Sequence, residues 1–187
     1  MRRLTTILAA VLAVVLMTAA VPWTSRQDRA HDIAELAREI GLPEDNQIIA
    51  EAQFLWWTET EDAKILANVL LGECANCTDR HQQLTAMTVL NRVAMEDLPN
   101  TVKGVVTDKG QYLPAYARAL PDFVTGDATT QRCFRNAYAA FMGLVECPPN
   151  VIYASEFPPS VLGSGCYEES KVFVNGILFG TTYFNYR

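Results

Sequence analysis

Apolar residues recur at helical spacing in three stretches of the chain, and each stretch predicts a helix. The stretches are residues 62–73, residues 79 to about 95, and the residues from Thr129 to Val145. Asp79, with Gln82 three residues later, has the spacing of a helix cap and is expected to begin the second helix. The pair Pro148-Pro149 is expected to end the third helix, because proline cannot continue a helical hydrogen-bond ladder.

The pattern changes in the C-terminal part of the chain, where β-forming residues dominate. Val151-Ile152-Tyr153 predicts a short strand, and the β-formers of residues 171–174 and 177–179 flank Asn175-Gly176. Asn-Gly between two such runs is a strong hairpin signal, because both turn positions need positive φ. Since the helices come first and the strands follow, we expect an α+β domain with a helical core and a small antiparallel sheet near the C-terminus.

The N-terminal residues have the features of an export signal. A basic start is followed by an uncharged, mostly apolar run over residues 4–21 that ends in small residues. We therefore expect residues 1–20 to be a signal peptide or a signal anchor, with residues 4–21 as a possible membrane tether. The protein is then extracytoplasmic, either secreted or anchored at the cell wall. Residues 21–60 form an accessory acidic and helical segment, and residues 61–187 form the main domain.

Charge and cysteine content narrow the function classes. The net charge is −6, which argues against nucleic-acid binding by a basic surface. The chain has five cysteines, and export favours disulfides among them without indicating which residues pair. Cys74 and Cys77 with His81 also fit part of a zinc site, but the sequence offers no clear fourth ligand. We therefore expect no metal and no cofactor, and the sequence gives no sign of oligomerisation.

Two further features of the sequence each have a functional and a structural interpretation. Trp56-Trp57 has the chemistry to stack on sugar rings, although such a pair more commonly belongs to a core. The spacing Cys74-x-x-Cys77 also occurs in thioredoxin-like redox sites, but there the pair begins a helix, and here it follows one. Structural disulfides that hold this loop and the third helix are the simpler interpretation of the cysteines.

Glu73 is the acidic residue that the pattern singles out. It follows Leu66, Val69 and Leu70 on one helix face that is otherwise apolar. Burial beside the core and the negative carbonyl end of the helix both disfavour an ionised carboxylate. The pattern therefore predicts a carboxyl that keeps its proton near neutrality, as a proton donor in glycosidic cleavage must. The same spacing also fits an ordinary solvated glutamate at a helix end.

An ordered set of motifs over residues 62–187 resembles one family, the cell-wall hydrolases typified by bacterial spore cortex-lytic enzymes. In chain order the motifs are Gly72-Glu73, Val89-Leu90-Asn91-Arg92, Pro99-Asn100-Thr101-Val102 and Gly110-Gln111-Tyr112. The strand around Tyr153 and the segment Gly180 to Phe184 match the family's second half more loosely.

The resemblance implies a lysozyme-like α+β domain that cuts the glycan of peptidoglycan between N-acetylmuramic acid and N-acetylglucosamine. It places the catalytic acid on Glu73 and implies the single-carboxyl chemistry of a lytic transglycosylase, whereas ordinary glycoside hydrolysis uses two carboxylates. It also implies that Gln111 and Tyr112 line the sugar site, together with Tyr153 and Tyr183 on the sheet.

The chain departs from the family pattern after Glu73. The family often follows its Gly-Glu with a small residue, Arg-Gly and a second Glu, whereas this chain has Cys74-Ala75-Asn76-Cys77. The departure concerns the loop shape and the details of the substrate site. A non-catalytic peptidoglycan-binding or structural module on the same fold is the alternative function.

Overall fold

The computed structural model describes residues 46–112, 119–162 and 165–187. The predicted signal and most of the accessory segment lie outside these residues. The chain divides into two compact units, residues 1–57 and 58–187. The described part of the first unit is helix α1 (Asn46–Thr58) up to Trp57. The side chain of Trp57 in it is only 2% exposed, which agrees with a packed ring and not with an open sugar-stacking surface. No helix among the described residues is long and apolar enough to span a membrane.

The second unit contains the predicted helices. They are α2 (Glu61–Glu73), α3 (Asp79–Val93), the short α4 (Val102–Thr107), α5 (Ala128–Phe141) and the single turn α6 (Pro159–Leu162). The prediction that Asp79 caps α3 is wrong, because the side chain of Thr78 accepts the backbone N–H of His81. Helix α5 ends at Phe141, before Val145 and the two prolines, because Gly143 takes a positive φ of 72° and turns the chain.

Three antiparallel strands follow the helices, and the predicted α+β class is confirmed. They are β1 (Val151–Ser155), β2 (Cys166–Val174) and β3 (Ile177–Tyr186), with β3 in the centre of the sheet. Val174 pairs with Ile177 across the predicted hairpin turn. Asn175 and Gly176 have φ of 51° and 78°, as a two-residue turn of this kind requires.

Helix α3 lies between the other helices and the sheet. It packs against α2, α4 and α5 and also against β1. On the sheet side, Leu84 of α3 forms a buried cluster with Val151 and Phe184. The ring of His81 meets Phe184 edge to face, with ring centroids 5.3 Å apart. The residues of α3 therefore pack on one side against α2, α4 and α5 and on the other against the sheet.

Candidate active site

Glu73 is the last residue of α2, as the sequence predicts, but its side chain is exposed. The expectation that this carboxyl lies beside the core is therefore wrong. The buried stripe of α2 ends at Leu70, and the next inward position, four residues on, is taken by Cys74. Cys74 also caps the helix, with its backbone N–H donating to the carbonyl of Leu70 at 3.0 Å. The helical spacing of apolar residues therefore predicted the burial of Glu73 wrongly, because the helix ends at this residue and its buried stripe ends at Leu70.

The turn that follows Glu73 is fixed by side chains from two other helices. Gln82 of α3 donates its amide to the carbonyls of Cys74 and Ala75, at 3.0 and 3.1 Å. Arg132 of α5 donates to the carbonyl of Ala75 at 3.1 Å and also to that of Cys77. Three carbonyls of the turn thus have defined partners, so the backbone beyond Glu73 has a fixed course.

Gln82 also joins this turn to α5. Its amide oxygen accepts from the side chain of Asn136 at 2.8 Å, and Asn136 donates in addition to Asp79 at 2.9 Å. Asn136 accepts in turn from Gln83 at 3.1 Å. Gln82 and Asn136 are both buried, and a buried amide is tolerated only when its hydrogen bonds are made. The network links α2, α3 and α5 directly behind the candidate acid.

The loop that carries Gln111 and Tyr112 begins with a tight turn. The backbone N–H of Gln111 donates to the carbonyl of Asp108 at 3.1 Å, and Gly110 between them has φ of 80°. This is the hydrogen bond and the third-position φ of a type II turn, which glycine adopts without strain. The turn sets the course of the backbone at Gln111 and Tyr112, whose side chains are half-buried.

Tyr112 connects this loop to α3 and to the end of α2. Its hydroxyl lies 3.1 Å from the Oγ1 atom of Thr88. Since Thr88 donates its own proton to the carbonyl of Thr85 at 2.8 Å, Tyr112 is the donor to Thr88. Burial raises the pKa of Tyr112, while the Thr88 bond and the positive charge of Arg92 oppose this and the negative charge of Glu73 adds to it. Tyr112 thus lies within electrostatic reach of both Glu73 and Arg92.

Arg92, in the last turn of α3, is buried and forms an ion pair with an acidic residue. Its side chain is only 5% exposed, and its Nη2 atom lies 3.7 Å from a carboxylate oxygen of Asp108. The pair holds the end of α3 against the loop after α4. Asp108 also accepts the backbone N–H of Lys109 at 2.8 Å. These contacts give Asp108 a structural role.

Tyr153 and Tyr183, which were predicted to contact the sugar chain, lie on the sheet, in β1 and β3, and not on the elements that hold Glu73. Tyr183 pairs with Ser155 and with Glu169, whereas its neighbour Phe184 faces α3. Because side chains alternate along a strand, Tyr183 lies on the opposite face of the sheet. Tyr153 pairs with Asn185 and is 39% exposed. Their predicted contact with a sugar chain stays a prediction.

The five cysteines are free thiols in this structure. Cys74 and Cys133 are buried, and Cys77 is half-buried. Burial raises the pKa of Cys74, the hydrogen bond to Thr85 opposes the rise, and negative charge on Cys77 or Cys133 adds to it. Among the described residues, no three His, Cys, Asp or Glu side chains are placed to hold a metal ion.

Sequence reasoning missed the residues that position the site. Thr88, Gln82 and Arg132 were each part of a predicted helix, and none was assigned a contact with Glu73 or its turn. A signal was present, because Gln82, Thr85 and Thr88 are polar residues inside an apolar stretch. Their partners, however, come from other elements, so the pattern alone does not identify them.

Three comparisons with known proteins give no match. No family model, no curated protein and no solved structure matches this chain.

Proposed function

We propose that this protein cleaves the glycan strands of peptidoglycan between N-acetylmuramic acid and N-acetylglucosamine, as a lytic transglycosylase with a lysozyme-like domain. The observation that carries the proposal is the placement of Glu73. Its carboxyl is accessible at the end of α2, while the backbone behind it is held by Gln82 and Arg132. An exposed acid on a fixed support suits a group that must meet an extended polymer.

One carboxyl is enough for the proposed reaction. Glu73 first donates its proton to the glycosidic oxygen, so that the bond to the N-acetylmuramic acid breaks. The resulting carboxylate then takes the proton from the C6 hydroxyl of the same sugar, whose oxygen attacks C1 and closes an anhydro ring. Proton donation and removal by one positioned group are ordinary acid–base catalysis. Because Glu73 is exposed in the free protein, the bound glycan itself must exclude water from the carboxyl.

Gln111 and Tyr112 are the proposed sugar contacts. Gln111 follows the Gly110 turn and offers both a donor and an acceptor to an acetamido group. Tyr112 donates its hydroxyl to Thr88, which fixes the aromatic ring, and the negative charge of Glu73 contributes to the raised pKa of this tyrosine. A fixed ring supplies a stacking surface at low entropic cost. In this proposal Tyr153 and Tyr183 contact sugars farther along the glycan chain. Export brings the protein to its substrate.

A second candidate function is a peptidoglycan-binding module without catalysis. The observation in its favour is the exposure of Glu73, because burial is what keeps the catalytic carboxyl of a glycosidase protonated near neutral pH. The two functions differ in what happens to the glycan. A binding module pulls down with insoluble peptidoglycan and releases nothing, whereas an enzyme turns the polymer into soluble fragments.

Mass spectrometry of soluble fragments from purified peptidoglycan tests the proposal. We expect fragments that end in anhydro-N-acetylmuramic acid, because the sugar's own C6 oxygen replaces water. Fragments with a reducing N-acetylmuramic acid would show hydrolysis and a second carboxylate. Co-sedimentation with peptidoglycan in the absence of any soluble fragment would favour the binding module.

A further inference from the structure

Two cysteines are the first and last residues of the turn that follows Glu73. Cys74 and Cys77 enclose Ala75 and Asn76, and the backbone N–H of Cys77 donates to the carbonyl of Cys74 at 3.0 Å. A four-residue turn closed in this way brings its first and last Cα atoms within about 7 Å. Disulfides span Cα distances of about 4.4–6.8 Å. The backbone of this turn therefore falls in the range that a disulfide needs.

We propose that Cys74 and Cys77 form an intramolecular disulfide across this turn when the protein meets an external disulfide, such as glutathione disulfide or the disulfide of an exported thiol oxidase. The linkage does not depend on the proposed glycan cleavage. It converts a turn held only by hydrogen bonds into one that is also covalently closed, directly beside Glu73.

The surroundings of the turn favour this pair. Gln82 and Arg132 already hold its carbonyls, so little backbone freedom remains to be lost when the sulfurs join. Cys77 is half-buried and is the thiol that an outside oxidant reaches first. Burial raises the pKa of Cys77, and the positive charge of Arg132 offsets part of that rise by favouring the thiolate.

Cys133 is the cysteine that competes with the Cys74–Cys77 pair for disulfide formation. It lies in α5 next to Arg132, and it is fully buried, with its pKa raised to about 11 by desolvation. Cys74, by contrast, is joined to Cys77 by only two intervening residues. Its thiol donates to Thr85 at 3.8 Å, a weak bond that is given up when the disulfide forms.

The exchange balances in two steps. The Cys77 thiolate attacks one sulfur of the external disulfide, forms a mixed disulfide and releases the other sulfur as a thiolate, which takes up the Cys77 proton. Cys74 then loses its proton and attacks the Cys77 sulfur, and the second external sulfur leaves and takes that proton. Two protein thiols and one external disulfide thus become one protein disulfide and two external thiols.

Peptide mapping of the full-length protein tests the proposal directly. The reduced protein is incubated with glutathione disulfide, alkylated with iodoacetamide without reduction, and digested with trypsin. Lys64 and Arg80 flank a peptide, residues 65–80, that contains Cys74 and Cys77 and no other cysteine. We expect this peptide to lose both alkylation sites and two hydrogens, and to regain both sites after reduction. The fully reduced protein, alkylated after denaturation, supplies the control.

Two results would overturn the proposal. Peptide 65–80 cross-linked to the short peptide Cys133–Arg135 would show that Cys133 is the partner. Peptide 65–80 alkylated at both cysteines after oxidation would show that no linkage forms. Neither readout uses peptidoglycan, so failure of the disulfide and failure of the proposed function are separate results.

Discussion

The turn after Glu73 and the tip of the β2–β3 hairpin both reverse the chain within a few residues, but different forces hold them. The turn after Glu73 depends on Gln82 and Arg132, which reach it from α3 and α5. The hairpin tip depends on the pairing of Val174 with Ile177 around two residues with positive φ. The first reversal therefore depends on tertiary contacts and the second on local backbone preference.

The two regions also differ in what surrounds them. The residues that hold the first turn are buried or half-buried between helices. The hairpin tip instead exposes large apolar side chains, with Ile177 73% and Phe179 76% exposed. Such side chains contribute little to a core, since burial is what makes an apolar side chain stabilising. Substitutions in the first region should therefore affect stability and activity far more than those in the second.

Replacement of Gln82 by alanine should strongly destabilise the protein. The change removes three hydrogen bonds and leaves the Cys74 carbonyl and the Asn136 amide buried without this partner. The expected loss is about 3 kcal/mol in the free energy of unfolding. Urea unfolding measures it, with Gln83→Ala as control because Gln83 makes a single bond to Asn136. Equal losses in the two variants would contradict the central role of Gln82.

Acidification should weaken the attachment of the sheet to α3 through His81. Burial lowers the pKa of His81, whose Nδ1 atom lies 2.9 Å from the hydroxyl of Ser170 on β2. The unfolded state, with a pKa near 6.5, then binds more protons than the folded state below that pH. Stability from neutral His81 is complete above about pH 6.5 and falls below it, by at most about 1.4 kcal/mol per pH unit.

Unfolding measured between pH 5 and about pH 8 tests this dependence. His81→Phe keeps a ring against Phe184 but cannot titrate, so its stability should change less over the same interval. The chain has only two histidines, the other being His31, which simplifies the assignment. A His81→Phe variant with the same slope as the parent would place the pH dependence elsewhere.

Alanine at Gly110 should have a smaller, local effect. Gly110 has φ of 80°, and a Cβ there would meet no atom within 4 Å, so the cost comes from the backbone alone. We expect a loss of about 1 kcal/mol in stability. Because the turn places Gln111 and Tyr112, the rate of glycan release should fall as well. Gly180→Ala is the matched control, since its Cβ also has open space and its φ is not in the positive region. A Gly110→Ala protein as stable and active as this control would contradict the turn's positioning role.

Serine at Phe179 should have the smallest effect. The ring is 76% exposed, so its loss should change the free energy of unfolding by less than about 0.5 kcal/mol. Phe184→Ser, five residues along the same strand, is the buried counterpart and should cost several kcal/mol, because Phe184 is 0% exposed. Thermal unfolding of the pair compares them, and a large loss at Phe179 would contradict the contrast between the two regions.

Local signals in the sequence predicted the elements well. The apolar stripe of α2 and the Asn175-Gly176 hairpin were placed correctly, since each depends on residues close together in the chain. The errors arose at the ends of helices, where a single residue determines where the helix begins or stops. Thr78 caps α3 in place of Asp79, and Gly143 helps to end α5 before the prolines. The strands also extend beyond their β-forming centres, because pairing with β3 continues through polar residues.

The candidate site was less predictable than the fold. Glu73 was placed correctly at its helix end, but its burial was predicted wrongly. The helical spacing of apolar residues does not show that the buried stripe stops at Leu70. Tyr112 was chosen by resemblance alone, and its contact with Thr88 depends on how α4 and its loop pack on α3. Such contacts join residues far apart in the sequence, so no local pattern predicts them.

The central claim is that the Glu73 carboxyl performs the chemistry, and a paired substitution tests it most directly. Glu73→Gln keeps the shape of the side chain but removes the acid, and Glu61→Gln makes the same change at the exposed start of the same helix. Release of soluble fragments from peptidoglycan should fall by at least about 100-fold for Glu73→Gln and stay near the parent rate for Glu61→Gln. Equal rates for Glu73→Gln and the parent, with both folded by circular dichroism, would contradict the account.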